Sequence, residues 1–529
     1  MTVKLLICAA VLLACLAAHR LSARVGLPAL LLFMVLGMLC GSDGILNIAF
    51  QDYQLTEQIC SIALIFIMFY GGFCTNWRTA RPVAAKAVVL STAGVVVTAL
   101  LVCVFCYTAL RFSLTESFLI GAVISSTDAA SVFSILRSKK LSLKHGTASI
   151  LEIESGSNDP VAYMLTMIGL TMLKGERVSV PLLILRQLAF GIVIGTLIAL
   201  IGVWLLGRFG YLLNDGLDTI LVIALVLISY ALPSAIGGNG YLSVYLTGII
   251  MGNHKIRNKI TLIHFFDGIT GLAQIIIFFL LGLLSFPHKI PQIFVPTLLI
   301  ALFLTFVARP IAVLLLMLPA RCSVRQCMLL AWSGLRGAAS IVFAIMVIAS
   351  GVTLHGDLFH VVFLISLLSV SIQGTLLPLV SNRLDMVDDE FSITKTFNDY
   401  QEQSAITMMR MFIPKGHNWE NKTVSRVSMP TGSLAVMIRR GEETIIPKGD
   451  TVILAGDSVI LSVPSYDVQD EINLQEIPIE RDHVWRDRMI EELELPDEVL
   501  IVLIKRGSEN IIPRGKTVIR ENDVLVMYQ

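Results

Sequence analysis

The sequence predicts a membrane all-α protein of about 13 transmembrane helices, built as inverted repeats with two crossed broken helices. A cytoplasmic α+β tail of two tandem repeats follows. Three observations carry this expectation. The chain of 529 residues is 55% hydrophobic and only 15% charged, with a mean hydropathy of +0.78, outside the range of soluble domains. Its charge is unevenly placed: residues 388–529 hold 41 of the 79 acidic and basic side chains and sum to −9, against +10 for residues 1–387. The tail also repeats itself, with 16 identities in 43 positions at an offset of 66 residues. The domains are therefore expected at 1–387 (membrane), 388–402 (linker), 403–467 (first repeat) and 468–529 (second repeat).

A helix crosses roughly 30 Å of hydrocarbon with about 20 residues. Apolar segments of suitable length fall near 3–19, 25–41, 56–74, 83–108, 114–136, 148–173, 179–207, 217–236, 238–252, 260–286, 292–319, 326–350 and 357–381. No small-x-small cleavage signal separates the first segment from the second, so it reads as a retained helix rather than a leader. Alternate loops divide Lys and Arg 16 to 5, which places the N-terminus outside and the tail in the cytoplasm, in a multi-pass protein of a bacterial-type inner membrane. All nine cysteines lie in the membrane part and read as small apolar packing residues.

An ionisable side chain at the bilayer centre costs on the order of 3 kcal/mol or more, yet four spans break the rule. The fifth carries "SSTDAAS", with Ser125, Ser126, Thr127 and Asp128. The sixth carries "LEIESGSNDP", with Glu152, Glu154, Ser155, Asn158 and Asp159 before Pro160. The eleventh carries Arg309, and the twelfth carries "SGLRGAAS", with Arg336 between Gly334 and Gly337. On a helix, residues four apart share a face, so Glu154 aligns with Asn158 and Ser155 with Asp159. Asp159 and Ser155, with Thr127 and Asp128 from the fifth span, form a set of hard oxygens suited to a hard cation. Arg309 is the natural counter-charge of Glu154, with Asn158 expected to hydrogen-bond the same carboxylate. Asp159 is then the exchangeable acid, for which a cation and a proton compete. The glycines around Arg336 and the polar run at 125–128 both weaken their helices midway. Paired interrupted helices, one in each half, mark inverted-repeat transporters, and Arg336 would offset the dipoles where they meet.

Together, "SSTDAAS", "ESGSNDP" and "GLRGA" resemble the monovalent cation:proton antiporter family of the NhaP type, over roughly residues 1–385. The resemblance implies a core domain and a dimerisation domain of the NhaA/NapA-like kind, a homodimer, and elevator-type alternating access. It implies that Asp159 binds the cation or the proton, with Thr127, Asp128 and Ser155 around the ion. It also implies that Glu154, Asn158 and Arg309 form a structural group, and that Arg336 sits at the helix crossing. The Asn158–Asp159 pair, where electrogenic relatives carry two aspartates, implies electroneutral exchange. One departure stands out: many relatives carry an acid in the third span where this chain has Tyr70, in "FYGGFCTNW".

Each tail copy reads as short alternating strands: "LAVMIRRG" and "VLIVLIKRG", then "IIPKG" and "IIPRG", then "DSVILSV" and "DVLVMY". The repeat resembles the TrkA-C or RCK-C domain of potassium transport regulators, which implies dimerisation and a small ligand or nucleotide. Arg439, Arg440, Lys505 and Arg506 are candidates to bind an anion, against the plainer reading of solvated basic turns. No Gly-rich dinucleotide loop precedes a strand and helix here.

The expected function is exchange of K+ or Na+ for H+, regulated by the tail, with no cofactor. The alternative is a ligand-gated monovalent cation channel, but "GGNGYLSVYLTG" is the nearest stretch to a carbonyl filter and does not match one. Neither His-Glu-x-x-His nor Gly-x-Ser-x-Gly occurs, so no enzyme is expected. The expected partners are the transported ions, membrane lipid and a second copy of the chain, and no nucleic acid.

Overall fold

The computed structural model describes residues 2–529 apart from 26–27, 129–130, 133–134, 137–140, 142, 176–178, 210–215, 255, 257, 353, 355, 388–405, 430–432, 442, 465–473, 481–482, 494–499, 507–508, 512 and 529. The chain divides into two units, Met1–Gln401 and Glu402–Gln529. The expected linker at 388–402 lies outside the described residues.

The first unit is helical. Its helices run over Thr2–Val25, Ala29–Cys40, Tyr53–Cys74, Trp77–Val89, Val95–Thr108, Leu114–Ile124, Thr147–Leu173, Val180–Phe209, Leu217–Ala235, Gly240–Gly252, Lys259–Leu283, Ile290–Phe303, Arg309–Met317, Val324–Trp332, Ala338–Ala349, Leu358–Leu368 and Thr375–Arg383. Among the described residues, seven helices are long and apolar enough to cross a membrane, some of them made of two of these stretches end to end. Thr147–Leu173 has the length but carries three acids. Helix starts follow from local chemistry. The Asp52, Ser113 and Ser323 side chains accept backbone N–H groups of the first turn, which have no partner within the helix.

Three helices contain a wide π-helical turn, at Leu90–Gly94, Leu304–Ala308 and Ser369–Gly374, and then continue as α-helix. Two others break altogether. Leu114–Ile124 ends at Ser125, and residues 126–128 are not helical; Val324–Trp332 ends before 333–337, and the helix resumes at Ala338. The two unwound stretches meet, with the Asp128 N–H donating to the Leu335 carbonyl at 2.8 Å. Gly337 makes this approach possible, because a Cβ there would run into the Asp128 side chain.

Elsewhere glycine lets helices touch backbone to backbone. Gly248 and Gly252 of the Gly240–Gly252 helix lie against Phe69 and Phe73 of Tyr53–Cys74, and Gly72 lies against the Tyr245 carbonyl. On its other side, Gly195 of Val180–Phe209 brings the Ser243 carbonyl within 2.7 Å of where a Cβ would stand.

The second unit holds two four-stranded antiparallel sheets. The first has strands β1 Ile406–Phe412, β2 Leu434–Arg440, β3 Glu443–Ile445 and β4 Ser458–Pro464, in the order β1-β4-β2-β3. The second has β5 Leu474–Pro478, β6 Leu500–Arg506, β7 Glu509–Ile511 and β8 Asp523–Tyr528, in the order β5-β8-β6-β7. The sheets carry matching cores, Ile438, Ile453 and Leu461 in one and Ile504, Ile519 and Met527 in the other. The tail's described residues form strands and single 3-10 turns at Val424–Arg426 and Ile490–Glu492, with no α-helix among them. Side chains from the connecting segments pack on each sheet's core, Trp419, Val424, Val427 and Met429 on the first and Trp485, Ile490 and Leu493 on the second.

Each sheet is pinned by the same ion pair. Arg440 donates through two nitrogens to Asp457 at 2.9 Å and to the Val452 carbonyl at 2.9 Å. Arg506 does the same with Asp523, at 2.8 and 2.7 Å, and with Val518 at 2.8 Å. The hydrogen-bonded Arg440 guanidinium holds the Asp457 carboxyl below its ordinary value. At Asp523 burial pushes upward, but the Arg506 hydrogen bonds, the Arg520 N–H and the two arginine charges outweigh it. A carboxyl depressed in the folded state stabilises the fold above its unfolded pKa of about 3.9, and that contribution is lost as pH falls through the folded value. The opening free energy of the strand amides in the intact protein, obtained by correcting hydrogen exchange for its intrinsic pH dependence, should therefore stay flat near neutrality and fall below about pH 4. Asp457→Asn and Asp523→Asn should each cost about 1.5–3 kcal/mol near neutral pH and blunt the acid limb.

Candidate ion-binding site

The site is assembled where Thr147–Leu173 passes the two unwound stretches. This helix places two buried carboxylates five residues apart, and their surroundings differ. Glu154, 1% exposed, faces Arg309, 2% exposed, and the Arg309 guanidinium donates to its Oε1. Arg309 follows immediately after the π turn at Leu304–Ala308, and Gly334 leaves room for its side chain. Asp159, 8% exposed, receives the hydroxyl of Ser126, and no cationic side chain pairs with it among the described residues.

The unwound backbone is held by side chains of the same helix. Ser155 donates its hydroxyl to the Thr127 carbonyl at 2.9 Å. Asn158 donates its amide to the same carbonyl at 3.4 Å and to the Thr127 hydroxyl. The expectation that Asn158 bonds the Glu154 carboxylate is corrected by this geometry. A carbonyl stripped of its helical partner is the nearer and needier acceptor, and it takes the amide hydrogens. The Asn158 Oδ1, Glu154 Oε2 and Arg309 Nε atoms are buried with no hydrogen-bond partner among the described residues.

Asp128 sits at the crossing itself. Its carboxylate accepts the Ser131 hydroxyl at 2.6 Å and the Ser131 N–H at 3.4 Å, as the cap of the helix that resumes there. Arg336 lies in the other unwound stretch. Its guanidinium donates to the Ser125 and Ser126 carbonyls at 3.0 and 2.7 Å, and its own N–H goes to the Ser369 hydroxyl at 3.1 Å. A cation thus stands at the C-terminal, negative end of the Leu114–Ile124 helix.

Of the candidate residues, the structure brings Thr127, Ser155 and Asn158 together, pairs Glu154 with Arg309, and puts Asp128 and Arg336 at the crossing. It adds Ser126, which sequence spacing passes over. In an unwound segment successive side chains alternate sides, so helical spacing does not say which hydroxyl meets Asp159. Tyr70, where relatives carry an acid, donates its hydroxyl to Asp267 at 2.8 Å. In the tail, the offer of Arg440 and Arg506 to an anion is corrected, because both guanidinium groups are committed to Asp457 and Asp523. Arg439 and Lys505 neighbour them on β2 and β6.

The sequence pattern described as "Sodium/hydrogen exchanger, transmembrane" matches residues 8–383. The chain belongs to the sodium/hydrogen exchanger family. A second pattern, the TrkA-C domain, matches the tail twice, over 408–470 and 474–528. The chain is 37% identical over 360 residues to a protein of Alkalimonas amylolytica named K(+)/H(+) antiporter NhaP, covering 68% of this chain and 62% of that relative. It is 32% identical over 440 residues to the K(+)/H(+) antiporter NhaP2 of Shewanella sp. (strain ANA-3), covering 81% of this chain and 76% of the relative. The chain thus spans under two thirds of the first relative's length and about three quarters of the second's. Its fold is that of the sodium proton antiporter MjNhaP1 from Methanocaldococcus jannaschii, with a TM-score of 0.63 at 23% identity, over 73% of this chain and 99% of that one.

Removing one partner of a buried ion pair leaves an uncompensated charge, at a cost of about 3–5 kcal/mol. Glu154→Gln should therefore lower the melting temperature of the purified protein in detergent and reduce its yield. Glu154→Gln combined with Arg309→Met should recover part of the loss.

Proposed function

We propose that this chain is a secondary antiporter that exchanges K+, or Na+, for H+ without net charge movement across a bacterial-type inner membrane. The observation that carries the reading is the contrast on one helix: Glu154 has Arg309, whereas Asp159 has the neutral hydroxyl of Ser126. A carboxylate buried without a counter-charge must be neutralised, by a proton or by a cation. The oxygens around it, from Ser126, Thr127, Ser155 and Asp128, suit a weakly polarising monovalent ion. Because Asp159 accepts one or the other, inward movement of one ion is tied to outward movement of the other. With Asn158 neutral, Glu154 held by Arg309 and Asp128 engaged as a helix cap through Ser131, Asp159 alone exchanges a proton for a cation, one charge in each direction, which makes the exchange electroneutral. The names of the curated relatives favour K+.

On this reading about 13 spans form inverted repeats in a homodimer. The core domain, which carries the crossing, moves as an elevator past a dimerisation domain. The N-terminus lies outside and the tail in the cytoplasm, where its paired TrkA-C repeats tune activity on binding a small ligand.

The test is dye-reported pH recovery in everted vesicles on addition of K+, Na+ or Li+. Saturable recovery with K+ or Na+ is expected; a voltage-driven current with no proton movement would favour a channel and overturn the reading. Asp159→Asn should abolish recovery while the protein remains folded and at least as heat-stable, since a buried charge has been removed. Normal exchange by Asp159→Asn would refute the assignment. Deleting residues 400–529 should alter the pH or ion dependence of exchange and leave transport itself in place.

A further inference from the structure

The stretch "GGNGYLSVYLTG", which resembles no filter, lies directly against the ion-binding helix. Asn239 is fully buried and caps the Gly240–Gly252 helix, its Oδ1 accepting the Leu242 N–H at 3.0 Å. Its backbone N–H goes to the Gln187 carbonyl at 3.2 Å. So anchored, it donates its amide to the carbonyl of Pro160, the residue after Asp159, at 2.8 Å. Six residues on, the ring of Tyr245 fills the notch at Gly156. A Cβ at 156 would lie 2.5 Å from Cε2 and 2.6 Å from the hydroxyl oxygen of that tyrosine. Between them, Tyr241 meets Tyr163 edge to face, with ring centroids 5.1 Å apart. One short helix therefore grips the ion-binding helix three residues before, one residue after and four residues after Asp159.

The gripping helix has no slack of its own. Glycine contacts seat it against Tyr53–Cys74 through Gly72, Gly248 and Gly252, and against Val180–Phe209 through Gly195. A close-packed interface of this kind has discrete positions rather than a continuum.

We infer that Asn239, Tyr241 and Tyr245 are positioning residues, a clasp that fixes the height and rotation of Asp159 in the state seen here and must release for the ion to change sides. The inference rests on the antiporter reading above. Loosening the clasp lets the ion-binding helix leave this position without an ion, so the cation meets a competent site in a smaller fraction of molecules. Apparent affinity falls by that fraction while the chemistry of Asp159 is untouched.

The test uses the full-length protein in everted vesicles, with exchange measured against K+ concentration and pH. Asn239→Ala should raise the KM for K+ about threefold to tenfold, the span of the one hydrogen bond it loses to the ion-binding helix, with the maximal rate within about twofold of the parent. Tyr245→Phe should behave as the parent, because the ring fills the notch. Gly156→Ala should lose most activity, and Gly156→Ala with Tyr245→Leu should regain it, because the smaller side chain vacates the space. Parental KM in Asn239→Ala, a fall in maximal rate alone, or no rescue of Gly156→Ala would each overturn the clasp. A parent protein that moves no protons on addition of cation would overturn the antiporter reading and the clasp with it.

Discussion

Backbone amides that leave a helix inside hydrocarbon must find partners within the protein, because no water is there to supply them. The rest of this membrane unit is arranged around two such interruptions. Their solutions are reciprocal: the Asp128 N–H reaches the Leu335 carbonyl in the opposite stretch, and Arg336 of that stretch reaches back to the Ser125 and Ser126 carbonyls. Ser155 and Asn158 supply the remaining donors from a third element. The polar residues that look expensive in an apolar span are thus largely answers to a backbone that has been opened. What the opening leaves is a small volume of oxygen atoms in a region of low dielectric, a poor place for a charge without a partner.

The two carboxylates on the crossing's neighbour helix show how environment divides labour among identical groups. Glu154 is fixed by a guanidinium whose own position is fixed by the helix preceding it. Asp159 has a hydroxyl, which can turn to donate or accept as the carboxylate changes state. On the proposed antiporter reading, rigidity at one site and freedom at the other are both needed: an unpaired Glu154 would add a second titrating acid and blur the stoichiometry.

Much of this was legible in the amino-acid order. Long apolar runs marked the helices, the shared residues at offset 66 marked the tail, and Glu154 opposite Arg309 could be read because few charges of opposite sign exist in the spans. Ser126 was not legible as the partner of Asp159, since the periodicity that ranks neighbours on a helix has no meaning across an unwound stretch. Asn158 differs for the same reason: four-residue spacing favours Glu154, whereas the Thr127 carbonyl, freed from its helix, takes the amide. In the tail, arginines ending a strand read as an exposed basic turn, and only the sheet register reveals that Asp457 and Asp523 lie beneath them. Both aspartates are identical residues of the two copies, a signal present in the repeat alignment.

The π-helical turns carry a consequence for how chain length encodes the centre of the protein. Each inserts one residue beyond the α-helical count, and in an α-helix one residue is a rotation of about 100°. The turn at Leu304–Ala308 sets the azimuth of everything after it, beginning with Arg309. Removing a single amino acid from that bulge would leave composition and hydropathy almost untouched, yet it would swing the guanidinium a quarter-turn or more away from Glu154. The arithmetic of residue number is as much a part of this centre as the chemistry of its side chains.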